Sequence, residues 1–159
     1  MDRISTPRGL LRLFLRFPLL LCRLGLGWLF GGRLVLVIHT GRKSGRPRSV
    51  LVEAVRLDQA THTVYILSGW GQSNWVQNIQ QNPAVMVQIG WRRWPATARR
   101  LTPEEATPEL LSYAQRRPAA LTALAKQYAT ALPEALTPSE TCRQLSGRIP
   151  LFALRPQSR

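Results

Sequence analysis

The 159-residue chain is poor in cysteine, histidine, lysine and carboxylates, and each shortage removes a class of chemistry. Cys22 and Cys142 are its only thiols. Far apart and in unlike contexts, they offer neither a disulfide framework nor a CxxC metal or redox motif, and they suit a reducing cytoplasm. His39 and His62 have no partner at metal-ligand spacing, which argues against a protein-held zinc or iron site; His39 reads as a strand residue with an ordinary hydrogen bond. The shortage of acid decides more. Eight Asp and Glu against 22 Lys and Arg leave a formal net charge of +14, and Lys43 and Lys126 are the only lysines. So large an excess asks for an anionic partner, whether nucleic acid, an acidic membrane surface or a polyanionic small molecule. Arginine forks suit phosphate and carboxylate better than ammonium groups do.

Long uncharged hydrophobic runs are also missing. Residues 7–32 are the most apolar part of the chain, yet arginines interrupt them, and the longest uncharged run, Leu24 to Gly32, is 9 residues. About 20 are needed to cross a bilayer. No small-residue cleavage site follows that would mark a secretory signal. On a helix, Arg8, Arg12, Arg16 and Arg23 fall in one narrow stripe, with Leu10, Leu11, Leu13, Phe14 and Phe17 over the remainder. Pro18 divides that helix. Residues 1–32 are therefore expected to form an amphipathic basic segment. Either residues 8–30 lie on an anionic membrane surface, or the wide apolar face packs on the domain core. The first choice places the protein in the cytoplasm, peripheral to the inner face of the cell membrane.

The remainder, residues 33–159, has the length and the 45% hydrophobic content of one globular domain. Runs rich in β-branched residues or alternating in polarity predict strands at 33–40, 48–56, 63–70, 84–91 and 94–101, with a last one in RIPLFALRP at 148–156. Helices are expected after Ser73 up to Pro83, after Thr102, and over 118–136. The Pro- and Ser/Thr-rich stretch LPEALTPSET, 132–141, reads as a loop. Some six strands with two or three helices and no regular alternation indicate a mainly β, α+β domain of barrel type, not a doubly wound sheet.

Two segments carry chemistry. TGRKSGRPR, Thr40 to Arg48, sets Arg42, Lys43, Arg46 and Arg48 on a turn with two glycines and the hydroxyls of Thr40 and Ser44. Flexible glycines let backbone N–H groups form a concave nest while the cations close on phosphate from the sides. Neither GxxxxGK[ST] nor GxGxxG occurs, which disfavours nucleotide hydrolysis and Rossmann binding. In SGWGQSNWVQNIQQNP, 68–83, a strand ends in small residues at the start of a Trp-bearing helix. Gly69 and Gly71 allow a ring or phosphate close to the backbone, and Ser68, Trp70, Trp75 and Asn78 offer stacking and hydrogen bonds. No helix-turn-helix, zinc-finger or RNP signature occurs, so nucleic acid is not the expected partner.

In order and spacing, TGRKSGRPR, SGWG, W-x-x-N-I, N-P and R-I-P-L-F-A-L together resemble the deazaflavin-dependent nitroreductase family over about Arg33 to Pro156. The resemblance implies a split β-barrel of the FMN-binding-like type. It also implies hydride transfer from reduced coenzyme F-420, a phosphodiester with a polyglutamate tail, to a small electron-poor acceptor such as a quinone or nitro compound. By the same resemblance Arg42, Lys43 and Ser44 meet the phosphate, Arg46 and Arg48 the acidic tail, and Ser68, Gly69, Trp70, Gly71, Trp75 and Asn78 the ring side. Such chemistry needs positioning and exclusion of water more than an acid–base triad. The family pattern often carries tyrosines before the C-terminal strand. TPSETCRQLSGRIP has none, which leaves Tyr65, Tyr113 and Tyr128 as candidate donors. Two alternatives stay open: FMN in the same barrel, or a non-catalytic barrel for lipid or haem. A monomer and a homodimer fit equally.

Overall fold

The computed structural model describes residues 33–69, 71–128 and 136–157, so the expected N-terminal amphipathic segment at 1–32 lies outside the described residues. Six strands, β1 (Leu34–Thr40), β2 (Pro47–Leu57), β3 (Val64–Leu67), β4 (Ala84–Ile89), β5 (Arg92–Arg100) and β6 (Leu151–Pro156), close into an antiparallel barrel in the order β1-β2-β3-β6-β5-β4. Four helices are described: α1 (Asn74–Gln81), α2 (Pro103–Arg116), α3 (Pro118–Gln127) and α4 (Pro138–Ser146). The third strand is shorter than its sequence suggests. At Ser68 the backbone leaves β3 and turns.

Period-two patterning sorts the strand residues onto two faces. Val35, Val37, Val52, Val64, Ile66, Val85, Val87, Ala96, Phe152 and Leu154 fill the barrel. Leu151 and Ala153, the alternate residues of β6, instead join Leu110, Tyr113, Leu124, Cys142 and Leu145 in a second core beneath α2, α3 and α4. With both faces covered, β6 is buried at four successive residues, which is why its sequence is continuously apolar.

Helix α1 runs from the end of β3 to the start of β4 and plugs one end of the barrel with Val76 and Ile79, both fully buried in the barrel core. Burial of each contributes about 1.5–3 kcal/mol, enough to fix the helix against that end. The β1–β2 hairpin projects from the same end, because β1 runs antiparallel to β4 with His39 opposite Val85. Helix and hairpin are therefore neighbours.

The loop expected over LPEALTPSET is corrected in part: Pro138 opens α4. Thr137 accepts from the Glu140 N–H at 3.3 Å and Glu140 accepts from the Thr137 N–H at 2.9 Å, a reciprocal capping box. Pro138 sits at the first helical position, where its missing N–H is no loss. Cys142 and Leu145 bury the inner face.

Candidate functional site

The hairpin from Thr40 to Arg48 is folded by its own backbone. The Gly41 N–H donates to the Arg46 carbonyl at 2.9 Å, and the Gly45 N–H donates to the Gly41 carbonyl at 2.8 Å. Gly45 takes φ +64°, and a Cβ on Gly41 would lie 2.9 Å from Ser44 Oγ. Lys43, Ser44, Arg46 and Arg48 are exposed around this tight turn, while Thr40 is half-buried at the end of β1. Arg42 points the other way. Its guanidinium crosses to α1, donating to Asn78 Oδ1 at 3.0 Å and to Asn74 Oδ1 at 3.3 Å, and its backbone N–H also donates to Asn78 Oδ1 at 3.1 Å. Among the described residues none of the four hairpin cations forms an ion pair. The carboxylates of Glu53, Asp58, Glu105 and Glu109 are engaged by Arg117, Arg56 and Arg99. Positive charge is thus concentrated at this end of the barrel, unneutralised by any described carboxylate.

Asn78 is buried, and its orientation follows from its neighbours. With Oδ1 taken by Arg42, its amide nitrogen faces His39 Nδ1 at 3.3 Å. Burial holds the His39 pKa below its ordinary value, the nearby positive charge of Arg48 adds to that, and a backbone hydrogen bond at Thr40 opposes it. Neutral His39 therefore accepts from Asn78 through Nδ1. The imidazole orients the carboxamide, and the carboxamide orients Arg42. The strand assignment of His39 holds; its place behind the hairpin was not legible, because His39 and Asn78 are 39 residues apart.

The second element abuts the first through α1. Ser68, nearly fully buried, donates from its N–H to the Pro150 carbonyl at 2.9 Å and from Oγ to the Gly71 carbonyl at 2.8 Å, so that 68–71 closes as a tight turn. Gly71 adopts φ +59°. Ser73 precedes α1 without a side-chain cap, and the first turn of that helix has no acidic residue, which leaves its positive end turned outward. Trp75 is half-buried and tilted against Phe152 with ring centroids 6.0 Å apart. Trp70 lies outside the described residues.

Residues 23–134 match the family described as F420H(2)-dependent quinone reductase. The chain belongs to this family. It is accordingly an oxidoreductase that uses the deazaflavin coenzyme F-420 to reduce an electron-poor acceptor, as the motif resemblance implied. Solved structures agree on the fold. One of an F420-H2 dependent reductase has a TM-score of 0.54 at 24% identity over 77% of this chain and 94% of that one. An Agrobacterium tumefaciens protein of unknown function has a TM-score of 0.55 at 16% identity, covering 99% and 60%. A pyridoxamine 5'-phosphate oxidase-related, FMN-binding protein from Nostoc punctiforme has 0.54 at 14%, covering 96% and 83%. The split barrel expected from sequence is the fold observed. No curated protein matches the chain.

Within this reductase, the three tyrosines part company. Tyr65 carries the Arg56 guanidinium 4.2 Å above its ring. Tyr113 lies in the helical core, where burial and then the charge of Glu53 push its hydroxyl up to about 12. Only Tyr128 reaches the motif turn, its hydroxyl donating to the Gly69 carbonyl at 3.3 Å, with Gln127 on the same carbonyl. Burial raises its pKa and keeps it protonated. Tyr128 had a sequence signal as a candidate, but its 59-residue separation from Gly69 hid which candidate reaches the site.

Proposed function

We propose that the protein is a quinone reductase whose β1–β2 hairpin and α1 end hold coenzyme F-420. One observation carries the assignment. Arg42 joins the hairpin to α1, making a single cationic surface that no described carboxylate neutralises. A phosphodiester with a polyglutamate tail fits that surface: Arg42, Lys43 and Ser44 meet the phosphate, and exposed Arg46 and Arg48 take the acidic tail. Ser68, Gly69, Gly71, Trp75 and Asn78 bound the ring side, where glycines permit close approach and the uncapped start of α1 favours negative charge. When bound, the reduced deazaflavin supplies a hydride. The chain's own contribution is to bind, to align and to exclude water, while Tyr128 holds a proton at its hydroxyl beside the Gly69–Gly71 turn.

A relative of known structure, 24% identical with a TM-score of 0.54, is a domain-swapped dimer, which supports a homodimer over a monomer for this chain. No described helix is long and apolar enough to cross a membrane. The arginine stripe of residues 8–30 supports a cytoplasmic protein held peripherally on an anionic bilayer, where lipophilic quinones reside.

Equilibrium titration with F-420 and with FMN, on the wild type and on Arg42→Ala/Lys43→Ala, tests the coenzyme assignment. Tight F-420 binding that the double variant loses supports it. Preference for FMN, which the Nostoc relative binds, would move the assignment to the flavin, and binding of neither would end it.

A further inference from the structure

The end of the barrel remote from the arginine hairpin carries a second unusual surface. Trp91 is 73% exposed, the one large apolar side chain so exposed among the described residues. It stands at the tip of the β4–β5 hairpin, where Gly90 at φ +55° makes the turn, and the next two residues, Arg92 and Arg93, are exposed as well. Neither forms an ion pair among the described residues, whereas Asp58 and Glu53 are taken by Arg56 and Arg117. Behind the tip opens a cavity of about 680 Å³, lined in part by Leu57, Ile89, Trp94, Pro95 and Pro156.

The register shows what lies beside this tip. Leu36 of β1 is opposite Gln88 of β4, so two residues back along β1 and two onward along β4 bring Leu34 level with Gly90. Arg33, also exposed, has its carbonyl fixed by the Ala54 N–H at 2.8 Å. Arg33, with the arginine-rich sequence of residues 1–32 before it in the chain, therefore lies at the same end of the barrel as Trp91. The length of β1, at roughly 3.3 Å per residue, keeps this end about 20 Å from the Thr40 hairpin.

We propose that the β4–β5 hairpin is a membrane anchor that seats this end of the barrel on an anionic phospholipid surface. Tryptophan favours the headgroup boundary and arginine the lipid phosphates. Because Arg33 lies at the same end, lipid contact by the basic sequence before it would act together with the hairpin to fix one orientation of the domain. In that orientation the Arg42–Arg48 turn, at the opposite end of β1, stays in water, open to a hydrophilic coenzyme. The inference extends the membrane reading above and is independent of the coenzyme assignment.

Co-sedimentation of the full-length protein with vesicles of phosphatidylcholine, alone or mixed with phosphatidylglycerol, tests it. Trp91→Ala/Arg92→Ala/Arg93→Ala is expected to lower partitioning onto the anionic vesicles roughly tenfold or more, while Arg92→Lys/Arg93→Lys keeps most of it. Quenching of tryptophan fluorescence by bromine-labelled lipid should fall in Trp91→Phe. An unchanged melting temperature shows that the exposed substitutions leave the fold intact. If the triple variant partitions like the wild type while Arg8→Ala/Arg12→Ala/Arg16→Ala loses binding, the hairpin is not an anchor although the membrane reading stands. If the wild type ignores anionic vesicles, both fall, whatever the coenzyme titration gives.

Discussion

The guanidinium of Arg42 and the carboxamide of Asn78 meet at 3.0 Å across 36 residues of sequence, and the same oxygen also accepts from the Arg42 backbone N–H. Asn78 thereby shapes the hairpin as well as the side chain. Hydrogen bonds to charged groups are worth about 1.5–3 kcal/mol, so Asn78→Ala is expected to weaken F-420 binding at least about tenfold and to lower the melting temperature by a few degrees. Asn78→Asp discriminates further. A carboxylate there would neutralise Arg42, so coenzyme affinity should fall at least as far. Affinity of Asn78→Asp equal to the wild type, measured in the same titration, would show that Arg42 does not serve the anion.

Gly71 is held at φ +59° with a virtual Cβ 3.3 Å from the Tyr128 hydroxyl. An alanine would be strained in its backbone by about 1–2 kcal/mol and would press on the phenol that bonds Gly69. Gly71→Ala should therefore destabilise the protein by at least that amount in urea unfolding, and part of the loss should vanish when Tyr128 is already phenylalanine. A double-mutant cycle measures the coupling directly. Strict additivity would mean that the turn and Tyr128 do not sense each other.

The barrel was legible in sequence because its signals are local. The β-branched runs of β1 and β2, the alternation in β4, the glycine-bearing turn between β1 and β2 and the proline that ends α1 each act within a few residues. The hairpin cations were legible for the same reason. What stayed hidden depended on tertiary neighbours or on a competing local rule. TPSE looked like a loop because proline breaks a helix interior, yet Pro138 occupies the one helical turn that tolerates it. His39 looked like an ordinary strand residue because nothing near it in the chain announces Asn78. Trp75 illustrates the reverse: a motif tryptophan expected at the site packs its ring on Phe152, against the barrel core.

Acid stability turns on Glu105. Its carboxylate accepts from both nitrogens of the Arg99 fork at 2.9 Å and from the Thr102 N–H at 2.9 Å, so one group ties β5 to the start of α2. Arg99 first, and then the Thr102 backbone, depress its pKa from 4.5 to about 2. The sign follows from the folded state holding the carboxylate ionised more firmly than the unfolded chain does. Above pH 4.5 the stabilisation is fully present, and it is lost as pH falls from there through about 2. Because the pair is exposed, added salt should shrink the effect. Melting temperature followed across that window should therefore drop more steeply in the wild type than in Glu105→Gln, which carries no titrating group at this position. Glu105→Gln should be the less stable protein at neutral pH, and the gap should narrow toward pH 2. Parallel profiles for the two proteins would show that the loss in acid comes from other carboxylates, leaving Glu105 as a cap and not as a titrating tie.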